Sequence, residues 1–352
     1  MDPNKLARLR QIARADTLDG FDPQTAAYLR EHLDRIGSAA TFPTFLNAAR
    51  RDAPDDFDGL AIALVGVPFD LGVTNRPGAR FGPRAVREIP WVGPWHHESH
   101  IVPFVLCEIA DVGDVPIESM YSLDAGIAEI GRYYAGLAGA GVVPLSVGGD
   151  HSITYPILKA LGSREPLGLV HIDAHCDTEG ASGGSRFHHG GPFRNAALDG
   201  VLEPERSVQI GIRGMAELLT RFSHETGMTV IHAEEFSRLG ADAVIEKVRE
   251  VVGAGPTYIS VDVDGIDPAY TPGTGTPEVG GLTPLDVQML LRGLRGLQLI
   301  GGDVVEVAPE YDPTSNTAQV AATLLFEMLC VVAESVAKRE EGSTSTARRG
   351  DG

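Results

Sequence analysis

The sequence predicts an α/β fold: three α/β/α layers around a mainly parallel sheet of roughly eight strands. Apolar, strand-like runs recur near 60–66, 104–110, 142–147, 167–172, 206–212, 228–232, 257–263 and 298–306. Helical stretches separate most of them, at 122–139, 215–226, 234–252 and 284–296. Strands that alternate with helices build a parallel sheet covered on both faces. No Pro- or Ser-rich linker and no repeat interrupts 58–337, so one domain is the economical reading of this 352-residue chain.

Taken in order, residues 1–57 form an N-terminal extension with helical patches near 3–14 and 23–36. The α/β domain occupies 58–337. Its longest apolar stretch, Ala318–Ala337, is interrupted by Gln319, Glu327 and Glu334 and reads as a long, mostly buried helix rather than a membrane span. It ends at Lys338-Arg339-Glu340-Glu341. The segment 338–352 is expected as a disordered tail, since from Gly342 it is Ser, Thr, Gly and charge.

Composition excludes some function classes. A net charge of −19 argues against nucleic acid and anionic membranes as partners. Three cysteines, Cys107, Cys176 and Cys330, are an odd number without paired spacing, which points to a reducing compartment. The first twenty residues mix charges and contain no apolar leader stretch, so the cytoplasm is the expected location.

Three short segments, each closing an apolar run, carry the chemistry. Gly-Gly-Asp-His-Ser at 148–152 offers His151; Asp-Ala-His-Cys-Asp at 173–177 offers Asp173, His175 and Asp177; Ser-Val-Asp-Val-Asp at 260–264 offers Asp262 and Asp264. Residues two apart on a strand share a face, so Asp173 with His175, and Asp262 with Asp264, should each present two ligands to one side. Sites in open α/β sheets form outside the carboxyl ends of the strands, where these three ends can converge. Four carboxylates and two neutral imidazoles balance two divalent cations, with Asp173 and Asp262 as the expected bridges. Oxygen-rich ligation with some imidazole suits Mn²⁺ better than Zn²⁺; Ni²⁺ fits the same donors. Two metals close together can share and deprotonate a water.

The segments GGDHS, DAHCD and SVDVDGIDPAYTPGTGTPEVGGLT resemble the signatures of the ureohydrolases, the arginase and agmatinase superfamily. VGVPFD at 65–70, RPGARFGPRAVRE at 76–88 and DVVEVAPEYDP at 303–313 resemble its agmatinase and guanidino-acid hydrolase members, over about 58–335. The resemblance implies an arginase-like fold and hydrolysis of a small cationic guanidino substrate to urea and an amine. It implies that Glu306 holds the guanidinium, through the two-pronged contact a carboxylate can make, and that His189 protonates the leaving amine. His188 is the competing candidate; the glycine that follows favours His189. The resemblance also favours Mn²⁺ and implies a homo-oligomer, trimer or hexamer.

Agmatine is the substrate that overall resemblance favours, with Glu179 receiving its ammonium. Arg186 could equally receive the carboxylate of 4-guanidinobutyrate or 3-guanidinopropionate, and a compact pocket could take guanidine itself. The rivals are hydrolysis of a formimino group with release of formamide, and a catalytically silent partner subunit. Cys176 is expected to face away from its neighbouring ligands. Asp150 orients His151 or caps the helix that follows. The cluster Trp91, Trp95, His96, His97 and His100 lines the pocket mouth, forms a subunit contact or belongs to a partly buried loop.

Overall fold

The fold is described from a computed structural model covering residues 1–35, 43–51 and 57–350. Nine strands form one sheet: β1 Ala49–Arg50, β2 Ile62–Val67, β3 Ile109–Asp114, β4 Val143–Gly148, β5 Leu167–Ile172, β6 Leu202–Ile212, β7 Thr229–His232, β8 Thr257–Asp262 and β9 Leu299–Val305. Their spatial order is β1-β3-β2-β4-β9-β8-β5-β6-β7, and every paired neighbour is parallel.

Alternation along the strands sorts side chains into two apolar layers. Ile62 and Leu64 of β2 join the layer built with the helices Ala241–Val252, Pro284–Gly293 and Asn316–Gly350. Ala63, Val65 and Val67 join the opposite layer, with the helices Leu123–Ala140, Thr154–Leu161 and Pro192–Leu198. Helix Leu123–Ala140 shows how local sequence sets the ends. The Ser122 hydroxyl accepts from the Ala125 N–H, and Gly141 closes the helix at φ +75°, a conformation glycine adopts without strain.

The differences from the sequence expectation have local causes. The run 104–110 contains a short helix, Pro103–Leu106, before β3 begins at Ile109; Pro103 at its first turn presets helical φ. The stretch 234–252 breaks at Gly240, φ +78°, into two helices. The ninth strand, β1, lies within the expected N-terminal extension and pairs with β3, and Phe45 and Leu46 are buried in the main core. Residue 57 is therefore not a structural boundary.

The helical patches of the extension are Pro3–Ile12 and Pro23–Arg35, with residue 36 outside the described residues. The second folds onto its own chain: Tyr28 stacks on Phe104 with centroids 5.8 Å apart, and Phe21 meets Trp95 edge-on at 4.8 Å. This places the Trp91–His100 cluster. His96 is buried with its Nε2 2.9 Å from Glu327, while Trp91 is exposed. Glu327, which interrupts the apolar C-terminal helix, also pairs with Arg292 at 2.6 Å. Most of that helix's apolar stretch, Asn316–Glu340, lies inside the protein. The helix continues to Gly350, through most of the segment expected to be disordered; residues 351–352 lie outside the described residues.

Candidate metal centre

Four neighbouring strands, β4, β9, β8 and β5, deliver the six candidate metal ligands and Glu306 at their carboxyl ends, while His189 lies farther on, just before the helix Pro192–Leu198. His151 follows β4, Glu306 follows β9, Asp262 ends β8 with Asp264 just beyond, and Asp173, His175 and Asp177 follow β5. All are buried except His175, whose side chain is 25% exposed. Convergence comes from turns rather than strand parity, because the chain leaves β5 at Ile172 and β8 at Asp262. Asp264 sits in the 3₁₀ turn Val263–Gly265, whose cap is Asp262 itself, accepting from the Asp264 N–H at 2.8 Å. Asp177 and Glu306 adopt φ +50° and +65°, conformations disfavoured for side chains of this kind and common at functional sites.

Two glycines permit the crowding. A Cβ on Gly149 would lie 2.0 Å from the Phe69 carbonyl oxygen, and one on Gly265 would lie 2.8 Å from the Asp173 nitrogen. Gly149 lets the exit of β4 pass the exit of β2. Asp150 then accepts from the Gly72 N–H at 2.7 Å and the Ser152 N–H at 2.9 Å. It is a cap and a loop tether; neither bond touches the His151 ring.

The donors form two groups that share Asp173. His151 Nδ1 lies 2.8 Å from Asp177, 3.2 Å from Asp173 and 3.4 Å from Asp262. His175 Nδ1 lies 3.4 Å from Asp173 and 3.3 Å from Asp264. The two Asp173 oxygens face different imidazoles, Oδ2 towards His151 and Oδ1 towards His175. Cys176 points out of the cluster and packs on Ile212.

Electrostatics show that this pocket calls for cations. Burial, then repulsion from Asp264 and Asp173, pushes the Asp262 carboxyl far above the usual aspartate range. Burial and Asp173 raise Asp264 despite His175 beside it. Burial would lower the imidazoles, yet the surrounding carboxylates hold His151 and His175 well above ordinary histidine values. Protons on imidazole thus stand in for missing positive charge. His151 Nδ1 is buried among carboxylates without a well-aligned hydrogen bond, and its Nε2 meets the Ser260 hydroxyl at 2.8 Å, which donates to Asp303 at 2.6 Å. An imidazole anchored at one nitrogen, with the other aimed into carboxylates, is the pattern of a metal ligand. The donor set fits two divalent cations: Asp173 faces both imidazoles, whereas Asp262, the other expected bridge, faces His151 alone of the two.

Glu306 and His189 adjoin this cluster. Glu306 Oε1 accepts from the His151 backbone N–H and faces His189 Nδ1, both at 2.9 Å. Glu306 Oε2 is buried without a hydrogen-bond partner. On its other side, His189 Nε2 is 2.6 Å from the Thr74 hydroxyl and 3.2 Å from the Thr74 nitrogen. Burial would lower the His189 pKa, but Glu306 raises it to about 9. His188 points elsewhere, its Nε2 2.8 Å from the Gly180 carbonyl.

The two candidates for the substrate's far end separate. Glu179 is half-buried with its carboxyl against Gly190, next to His189. Arg186 donates to the Tyr155 hydroxyl at 2.8 Å and covers Phe187 at 4.7 Å. It lines a separate cavity of about 610 Å³ that none of the metal-centre residues lines.

The arginase family model matches residues 60–330. The chain belongs to the arginase family. It is 50% identical over 303 residues to the guanidinopropionase of Pseudomonas aeruginosa, covering 85% of this chain and 94% of that protein. It is 47% identical over 279 residues to the mitochondrial agmatinase of Gallus gallus, covering 78% and 82%. Among solved structures, the proclavaminate amidinohydrolase of Streptomyces clavuligerus superposes with a TM-score of 0.80 at 37% identity, over 84% of this chain and 98% of that one. Arginase-family enzymes depend on a pair of metal ions, in keeping with the His/Asp cluster here.

Sequence reasoning missed the residues that hold this arginase-family site in place: Thr74, Ser260, Asp303 and His171. Ser260, Asp303 and His171 are buried inside strands, whereas Thr74 lies exposed on the loop after β2. A histidine within the otherwise apolar run Leu167–Ile172 was the available signal for His171.

Proposed function

We propose that this centre binds two Mn²⁺ ions through His151, Asp173, His175, Asp177, Asp262 and Asp264, and that Glu306 and His189 act on the substrate. The chain is a hydrolase of guanidino carbon–nitrogen bonds. The carrying observation is the unpartnered Glu306 Oε2 beside two donor groups that share Asp173. When bound, the two cations supply an activated water and stabilise the charge that develops as it adds to carbon. Glu306 Oε2 accepts guanidinium N–H groups and sets the guanidino carbon over the metal centre. Water supplies the oxygen of urea, one carbon–nitrogen bond breaks, and His189 passes a proton to the departing amine. His189 keeps partners in both protonation states. When neutral it accepts from the Thr74 N–H, and when charged it donates to the Thr74 hydroxyl.

For the tail, Glu179 beside His189 supports an amine-ended substrate, agmatine. A guanidino acid is the second reading, favoured by the identity with guanidinopropionase; Arg186 supports it no longer, being engaged elsewhere. Metal analysis of purified protein should find two ions per chain, with Mn²⁺ or Ni²⁺ restoring them after chelation. Assay of agmatine, 3-guanidinopropionate, 4-guanidinobutyrate and guanidine should yield urea. With agmatine, Glu179→Gln should cost about 1–3 kcal/mol in kcat/KM, the range for a hydrogen bond to a charged group. Unchanged agmatine turnover rejects the Glu179 contact. Formamide as product identifies a formimino hydrolase, and no product with both metals bound identifies a silent subunit.

The homo-oligomer, a trimer or hexamer, is part of the proposal on family resemblance. A scattering mass equal to the 37.3 kDa monomer at micromolar concentration would refute it. A cytoplasmic location is likewise proposed, supported by the absence of any disulfide among the described residues.

A further inference from the structure

His171 lies inside β5, fully buried, beside the donors but outside the ligand set assigned above. Its Nε2 is 2.8 Å from Asp173 Oδ2 and its Nδ1 is 3.2 Å from Gln209 Nε2. The ring lies against Phe193, centroids 4.3 Å apart, with His151 edge-on at 5.3 Å. Together with His151 and Asp173 it could itself be read as a ligand.

The hydrogen bonding decides otherwise. Gln209 Nε2 is also 2.5 Å from the Cys176 carbonyl oxygen. A carbonyl oxygen only accepts, so the amide must present its NH₂ end there. The same NH₂ group then faces His171 Nδ1, which must accept. The His171 proton is therefore on Nε2 and is donated to Asp173 Oδ2. Neither ring nitrogen has a lone pair left for a metal. Asp173 ends with one protein hydrogen bond on each oxygen: His171 on Oδ2, and the His175 N–H on Oδ1 at 2.6 Å. Each oxygen keeps a lone pair, Oδ2 on the side of His151 and Oδ1 on the side of His175.

We propose that His171, locked by Gln209 as its Nε2-protonated tautomer, is a positioning residue that fixes the Asp173 carboxylate plane so that it bridges two cations. The inference rests on the metal centre proposed above. Outer partners of metal ligands set ligand orientation, and their loss typically costs about 10–100-fold in metal affinity. Removing His171 should weaken chiefly the cation on the Oδ2 side, the one shared with His151.

The test is Mn²⁺ binding to metal-free full-length protein, followed by calorimetry and by electron paramagnetic resonance. Wild type should take two ions and give the exchange-coupled signal of a pair. His171→Phe fills the space without a donor; it should lose about 10–100-fold in affinity for one ion and show the six-line signal of isolated Mn²⁺ at loadings where wild type is paired. His171→Gln restores an N–H donor and should recover much of that loss. Gln209→Met leaves the histidine but frees its tautomer, and should weaken the same ion by a smaller factor. Two ions bound by His171→Phe with wild-type affinity overturn the inference, as does a His171→Gln no better than the Phe variant. If His171→Phe does not fold, wild-type affinity and a wild-type paired signal in Gln209→Met overturn it. Fewer than two ions in the wild type would instead overturn the metal centre and this inference with it.

Discussion

Asp262→Asn is expected to abolish turnover and, at the same time, to raise the melting temperature of the metal-free protein. The two effects share one cause. Asp262 is buried against Asp264 and Asp173, and burial followed by their repulsion pushes its pKa far up. With cations bound, its charge is balanced and supplies a ligand. Without them the buried carboxyl must take up a proton or stand uncompensated, and either costs stability at neutral pH. Asparagine keeps the volume and an amide oxygen that can accept from the Asp264 N–H, but removes the charge. Turnover should fall by at least about 10³-fold, beyond the 10–100-fold typical of partners outside the ligand set. After chelation the variant should melt higher by a few degrees, about 1 kcal/mol being worth roughly 2–4 °C in domains of 150–250 residues and less in a longer chain.

The pH dependence has a fixed sign. A folded-state pKa raised above the unfolded value gives stability that is full below the unfolded value, about 3.9 for aspartate. It is lost as pH rises through the folded value. Asp262, Asp264, His151 and His175 are all raised, so metal-free wild type should lose stability from acid towards neutral pH and above. Asp173 works the other way. Burial would raise it, but His171, His151 and His175 hold it well below the usual range, and its contribution is lost only in strong acid. Asp262→Asn should flatten the fall. Thermal melts of chelated protein at several pH values check this; a metal-free variant that melts below metal-free wild type would remove the basis for the charge argument.

The sequence made the strand ends legible because strands buried on both faces are written as unbroken apolar runs, and the polar residue that stops each run marks the end. His151, Asp173 and Asp262 were visible for that reason. What the runs do not encode is the order of strands. β9 is last in the chain yet inserts between β4 and β8, and that insertion brings Glu306 beside His151. The resemblance, not the pattern, supplied Glu306. Thr74 was illegible because nothing local ties the β2 exit to His189, 115 positions away. The short helices Gly82–Arg87 and Pro192–Leu198 span too few turns to show a 3.6-residue period. Strand parity failed beyond the last paired residue, since alternation is a property of extended backbone, and the chain bends over 173–175 and enters a 3₁₀ turn at Asp264.

His189→Asn should lower kcat by about 10²–10⁴-fold, the span for loss of a positioned acid or base, and leave the metal content at two ions. The side chain touches none of the metal donors; its partners are Glu306 and Thr74. This separates it from Asp262→Asn, whose loss of activity should come with loss of metal. The pH profile distinguishes proton transfer from mere space-filling. In the free protein Glu306 outweighs burial and holds His189 at about 9, so the group is charged at neutral pH and can give its proton to the leaving amine. Activity that needs this proton is lost as pH rises through that value, which places a basic limb in kcat/KM near 9. Once a substrate guanidinium occupies Glu306, the carboxylate charge that raised His189 is shared with a second cation. The limb in kcat should then lie below that in kcat/KM. In His189→Asn this limb should vanish from both profiles. A variant with kcat within tenfold of wild type, or one that keeps the basic limb unmoved, would transfer the proton-donor role to another group.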